Sequence, residues 1–169
     1  MNQPRLCVDY LTGLNEALPV HQHPLPVPVD VFATPNGGQV FLQIDFSDAY
    51  LQVDLDDFSK RLCNINKHKS VYEYQRLSFC FKSAPDIFQA IMDDKFAGMP
   101  FATAYLDDIV VESRNPDEIR RHLHVIFNRI NEYGFHVHLG KCSFFQPSIK
   151  YLDFSSTRTD APHPQRSLR

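Results

Sequence analysis

The sequence predicts an α+β fold: an antiparallel sheet of ferredoxin-like, split βαβ order with two packed helices. Three observations carry this. From residue 40 onward the hydrophobic pattern runs strand, insertion, helix, strand, strand, helix, strand. Both helices open on capping residues and close on a glycine. The two middle strands meet at an adjacent acidic pair, Asp107 and Asp108, set in an otherwise apolar, β-branched and aromatic run.

Ahead of the sheet, Pro19, Pro24, Pro26, Pro28 and Pro35 break regular structure. Residues 19–36 are therefore expected as an extended connector, with at most a short helix near 29–33. Gly37-Gly38 makes a turn, and residues 40–46 read as a buried strand ending near Asp45. Ser83 is placed to cap a helix over 84–97, with Pro85 in its first turn, Ile87, Phe88, Ile91, Met92 and Phe96 at helical spacing, and Gly98 as its stop. The run 101–113 is too short and too β-branched for one long helix, and predicts two strands joined as a hairpin. Asn115-Pro116-Asp117-Glu118 opens a second helix, whose Ile119, Leu123, Ile126, Phe127, Ile130 and Tyr133 form one apolar face before Gly134. A last strand is expected at 149–155, followed by a polar, aperiodic tail.

With 43% hydrophobic residues in 169, the chain has enough apolar side chains for one real core. The net charge of −3 argues against wrapping nucleic acid by bulk electrostatics. It does not exclude nucleic acid, because a bound divalent ion reverses the local sign of an acidic cluster. No stretch approaches a membrane span and the N-terminus lacks the layout of a secretory signal, so an intracellular location without a membrane partner is expected. Cys7, Cys63, Cys80 and Cys142 lie far apart with no C-x-x-C pair and are expected as free thiols. Of the spaced histidine pairs, His21/His23, His122/His124 and His136/His138, only the last could share a face, if it lies in a strand; packing or solvated histidines are the preferred reading.

In the predicted order the first and third strands are central neighbours, and the end of the first lies at the same edge as the turn between the second and third. Asp45, Asp107 and Asp108 should therefore converge. Such carboxylates repel one another unless a cation stands among them. Mg²⁺ suits hard oxygen ligands and substrate phosphates. Two such ions, about 3.5–4 Å apart, can activate an attacking hydroxyl and stabilise a leaving oxygen, which points to nucleotidyl transfer. Asp-Asp is also an ordinary turn dipeptide and Asp45 can simply end a strand, so spacing alone leaves both readings open.

Tyr105-Leu106-Asp107-Asp108 and Ile44-Asp45-Phe46-Ser47-Asp48-Ala49-Tyr50 resemble the two catalytic blocks of reverse transcriptases, in the form found in gypsy-type LTR retrotransposon Pol polyproteins. Further blocks fall in the family's order: Arg5-Leu6-Cys7-Val8-Asp9-Tyr10 with Leu14-Asn15, His23-Pro24-Leu25-Pro26, Phe79 before Ser83-Ala84-Pro85 and Phe88-Gln89, and Lys141-Cys142-Ser143-Phe144-Phe145-Gln146 with Tyr151-Leu152. A lone YxDD is weak; the series across residues 5–152 is strong.

The resemblance implies a polymerase palm with partial fingers: residues 1–39 a fingers segment and connector, 40–155 the palm with a fingers insertion at about 51–83, and 156–169 a loose tail. It implies an RNA-directed DNA polymerase adding dNTPs to a primer 3′-hydroxyl with two Mg²⁺ or Mn²⁺ ions. Asp45, Asp107 and Asp108 would hold the metals, with the carbonyl of Phe46 a further ligand. The amides of Ser47, Asp48 and Ala49 would cradle the triphosphate, Tyr50 would lie under the sugar, and Arg5 and Phe79 would border the nucleotide. Tyr105, Leu106, Pro85, Gln89, Tyr151 and Leu152 would face an RNA/DNA template–primer. The rest of a Pol polyprotein, with RNase H and integrase, is a further implied partner.

Two positions depart from the family's pattern. Its P-F-G reads Ser78-Phe79-Cys80, which puts a side chain where glycine allows positive φ, and its Tyr-Leu-Gly reads Tyr151-Leu152-Asp153. These departures keep two other readings in view: an inactive retroelement remnant, and a palm-like nucleic-acid-binding or interaction module.

Overall fold

Apolar residues on both faces of one strand require cover on both sides, and the central strand of this protein has it. In the computed structural model, Phe41, Leu42, Ile44 and Asp45 are all buried in strand β1 (Val40–Asp45). The structure describes residues 13–17, 23–25, 38–67, 70–151, 154–157 and 160–164. In chain order these give helix α1 (Leu14–Ala17), β1, helix α2 (Asp57–Leu62), β2 (Asn64–Lys67), β3 (Ser70–Glu73), helix α3 (Ala84–Lys95), β4 (Ala102–Tyr105), β5 (Asp108–Ser113), helix α4 (Pro116–Glu132), β6 (Ser143–Gln146), β7 (Ser148–Tyr151), β8 (Phe154–Thr157) and β9 (Asp160–Pro164). The connector expected at 19–36 and its short helix fall mostly outside the described residues.

The chain forms two compact units, residues 1–24 with 48–90, and residues 25–47 with 91–169. The second holds a four-stranded sheet of order β4-β5-β1-β6, antiparallel throughout. This is the split βαβ order, with the first and third strands of the motif as central neighbours. Helix α4 covers β5 and β1, burying Ile119, Ile126 and Ile130 at helical spacing. Its start is fixed by Asn115, whose side chain accepts hydrogen bonds from the amides of Asp117 (3.1 Å) and Glu118 (2.9 Å) ahead of Pro116. A cap of this kind contributes about 1 kcal/mol. The ring of His122 stacks on Phe101 at 3.8 Å and its Nδ1 lies 2.7 Å from the buried hydroxyl of Ser113, which joins the helix to the hairpin. Elsewhere in this unit Phe41, Val110 and Ile149 cluster, with Tyr105 against them.

The other unit is built on a core of Cys63, Leu77, Phe81 and Ala84, lined by Tyr50, Val53, Leu55, Tyr74, Cys80 and Ile87. Helix α2 is capped by Asp56, whose carboxylate accepts from the Ser59 amide at 2.7 Å; that hydrogen bond holds the Asp56 pKa below its ordinary value. Strands β2 and β3 form a hairpin in the register Asn64↔Glu73. Asn15 ties the segment around α1 to residues 80–82, donating to the Cys80 carbonyl and accepting from the Lys82 amide. In helix α3, Ala84, Phe88 and Met92 are buried at helical spacing, with Phe96 just beyond its end.

Four expectations are corrected. The sheet's fourth strand is Ser143–Gln146; the region expected to supply it, 149–155, gives parts of β7 and β8 in a separate three-stranded sheet, β7-β8-β9. The expected loose tail after residue 155 carries the end of β8 and all of β9. Helix α3 stops at Lys95, short of residue 97. Cys80 is disulfide-bonded, whereas Cys63 and Cys142 are free as expected; Cys7 lies outside the described residues.

Candidate active site

Strand pairing brings the acids together. β1 ends on Asp45, β5 begins on Asp108, and the antiparallel register makes the two Cα partners. Leu106 and Asp107 form the turn between Tyr105 and Asp108, which are themselves partners. A turn this tight needs positive φ, and Leu106 supplies it at 51°. For a residue with a Cβ this costs on the order of 1 kcal/mol, held in place by the surrounding pairing. Part of that hold is direct: the Phe46 amide donates to the Asp107 carbonyl at 2.8 Å.

Asp45 is gripped on every side but one. Its carbonyl accepts from the His138 amide (2.8 Å), its amide points at the Cys142 sulfur (3.5 Å), and its Oδ2 lies 3.3 Å from Lys141 Nζ. Its Oδ1 is buried and has no hydrogen-bond partner among the described residues. A buried carboxylate oxygen left in this way is costly unless a proton or cation reaches it. Burial pushes the Cys142 thiol up from its ordinary pKa, which keeps it a neutral neighbour.

Among the described residues no three acidic, histidine or cysteine side chains are gathered as a ready-made metal-binding group. Asp107 and Asp108 are consecutive, with Asp107 exposed in the turn and Asp108 half-buried on the strand. The donor set nevertheless fits a hard divalent ion, since Asp45 and Asp108 offer oxygen ligands at one register position and Asp45 Oδ1 is unsatisfied.

The other predicted site residues fare unevenly. The Ser47 amide donates to the His136 carbonyl at 3.0 Å, next to a bridge between Phe46 and Val137, so it is not open to a phosphate. Asp48 is left-handed (φ 45°) ahead of the 3₁₀ turn Ala49–Gln52. Tyr50 packs edge-on against Phe88 at 5.4 Å. Phe79 and Pro85 are half-buried. Gln89, expected to face template and primer, is fully buried and does not reach solvent. Tyr105 and Leu106 are half-buried at the hairpin end, and Tyr151 closes β7. Arg5, Leu152 and Asp153 lie outside the described residues. The strain expected at Cys80 does not arise, because positive φ among non-glycine described residues is confined to Asp48, Leu106 and Phe145.

The sequence profile of the family described as reverse transcriptase (RNA-dependent DNA polymerase) matches residues 4–155. The chain belongs to the reverse transcriptase family. An uncharacterized protein of Caenorhabditis elegans is 38% identical over 164 residues, covering 96% of this chain and 13% of that protein. The retrovirus-related Pol polyprotein from transposon 412 of Drosophila melanogaster is 29% identical over 155 residues, covering 90% of this chain and 12% of its own. The chain thus spans only a small part of these relatives. Its fold matches that of a foamy viral protease-reverse transcriptase solved in complex with double-stranded DNA, with a TM-score of 0.84 at 21% identity over 94% of this chain and 28% of that one.

Two residues beside Asp45 in this reverse transcriptase domain had no role in the sequence reading. In the sequence Lys141 and Cys142 stand only within a block that resembles the family, and their approach to Asp45 spans 96 and 97 residues of chain. Only the pairing of β1 with the segment after Gly134 reveals it.

Proposed function

We propose that this chain is the palm and partial fingers of an RNA-directed DNA polymerase, joining dNTPs to a primer 3′-hydroxyl on an RNA or DNA template. The observation that carries this reading is the register that sets Asp45 against Asp108, inside the span that matches the reverse transcriptase family. In the reaction the primer hydroxyl attacks the α-phosphorus of the nucleotide, the new phosphodiester bond forms, and pyrophosphate leaves.

Asp45, Asp107 and Asp108, with the carbonyl of Phe46, are the residues that would hold two Mg²⁺ or Mn²⁺ ions. When bound, such ions make the hydroxyl a better nucleophile and offset charge on the leaving oxygen. The rigid pairing of β1 and β5 fixes Asp45 and Asp108, while the turn leaves Asp107 room to adjust. The amides of Asp48 and Ala49, which follow directly in sequence, are proposed to meet the triphosphate, with Arg5, Tyr50 and Phe79 around base and sugar. Tyr105, Leu106, Pro85, Tyr151 and Leu152 are proposed for template and primer. Other parts of a longer Pol polyprotein would complete the grip on the duplex.

A primer-extension assay with the purified chain, a primed RNA template, dNTPs and Mg²⁺ or Mn²⁺ tests this. Extension by the natural sequence is expected to exceed that of an Asp107→Asn, Asp108→Asn variant by at least about a hundredfold, the loss of a few kcal/mol of transition-state stabilisation. Equal traces from the two proteins would remove the enzymatic reading and leave a retroelement remnant with the fold alone.

A further inference from the structure

Lys141 is delivered to Asp45 by a short loop. The amides of Lys141 and Cys142 both donate to the His138 carbonyl, at 2.8 and 3.3 Å, and close a tight turn. The same turn holds the main chain of Asp45 at both ends, through the His138 amide and the Cys142 sulfur. From the same turn the Lys141 side chain reaches Asp45 Oδ2 at 3.3 Å. The two partners differ in freedom: the Lys141 side chain is 57% exposed and the Asp45 side chain 13%. Asp45 cannot leave its strand, whereas a flexible ammonium on four methylenes can swing into water at little cost.

An ammonium and a divalent cation compete for one carboxylate, because each is drawn to its charge and they repel one another. We propose that Lys141 is the resident counter-ion of Asp45 in the metal-free protein, and that a divalent cation binds by displacing its ammonium toward solvent. Lys141 thereby sets the metal concentration at which the site fills. This rests on the reading that Asp45 is a metal ligand, and adds to it a built-in competitor that keeps the buried carboxylate compensated until metal arrives.

The test is a titration of the purified chain with Mn²⁺, followed by the loss of the free-ion electron paramagnetic resonance signal. Four proteins are compared: the natural sequence, Lys141→Met, Lys141→Arg and Asp45→Asn. Lys141→Met is expected to bind Mn²⁺ about two- to fivefold tighter, the scale of a partly exposed ion pair, and Lys141→Arg to stay near the natural value. The metal-free melting temperature of Lys141→Met should lie below that of the natural protein, and the gap should close at saturating Mn²⁺. A purely structural lysine would leave the gap unchanged. Equal or weaker Mn²⁺ binding by Lys141→Met overturns the proposal, and Lys141→Gln replaces it should the Met variant not fold. No binding by any of the four proteins, or binding untouched by Asp45→Asn, overturns the underlying assignment of Asp45 instead.

Discussion

Asp45→Asn is expected to abolish divalent-metal binding at the sheet end and to cut primer extension by at least about a hundredfold, while the chain stays folded. The change is isosteric, so Phe46, the strand register and the bonds from His138 and to Cys142 all remain. What disappears is the charge that faces Asp108 across the register, and one of the two carboxylate oxygens becomes an NH₂ group that cannot bind a cation. The ion pair with Lys141 is lost too, but it is half-exposed and worth about 0.2–1 kcal/mol. Relief of repulsion against Asp108 offsets part of that, so the metal-free melting temperature should move by only a few degrees. Calorimetric Mn²⁺ titration and circular dichroism check the two halves separately. Metal binding that survives the substitution would place the site elsewhere.

Phe46→Ala is expected to be the most damaging single truncation near the site for stability. Its ring is 2% exposed and packs against Phe96 (6.4 Å between centroids) and Phe135 (5.4 Å). Its main chain ties the acidic turn to β1 through the hydrogen bond its amide donates to the Asp107 carbonyl. Truncating a buried phenylalanine costs about 3–5 kcal/mol, a large share of the ~5–15 kcal/mol that holds a domain together. For a chain of this size the melting temperature should fall by about 6–20 °C. Phe46→Leu should recover much of the loss by refilling the volume. A fall of less than about 2 °C for the alanine variant, measured by circular dichroism, would contradict the packing described.

Much of this fold is legible in the sequence because the deciding signals are local and strong. Short apolar and β-branched runs mark β1, β4 and β5, and Asn115-Pro116 and Gly134 bracket α4 almost to the residue. The acidic pair stands out because charge is rare inside an apolar run. The fourth strand was hidden for equally physical reasons. Ser143–Gln146 is an edge strand, Phe145 adopts φ 53°, and its register against β1 shifts between Phe41 and Gln43, so the expected alternation is absent. Strand β9 includes Pro162 and Pro164, which an edge tolerates and a sequence pattern reads as loop.

The site divides along the same line. Asp45, Asp107 and Asp108 were readable because topology follows from the order of elements, and topology fixes which strand ends meet. What compensates Asp45 was not readable, because Lys141 reaches it only through a loop whose shape depends on tertiary pairing. The same pairing takes up the Ser47 amide, and core packing takes up Gln89. For these two groups the resemblance implies ligand contacts that no local feature of the folded chain displays.

Anomalous diffraction from crystals of the chain soaked in Mn²⁺ tests whether Asp45 and Asp108 share a metal ion. A manganese peak is expected, held by carboxylate oxygens of Asp45 and Asp108, with the Lys141 ammonium turned away from Asp45. Saturating Mn²⁺ with no peak at that end of the sheet, or a peak held by other residues, would contradict it.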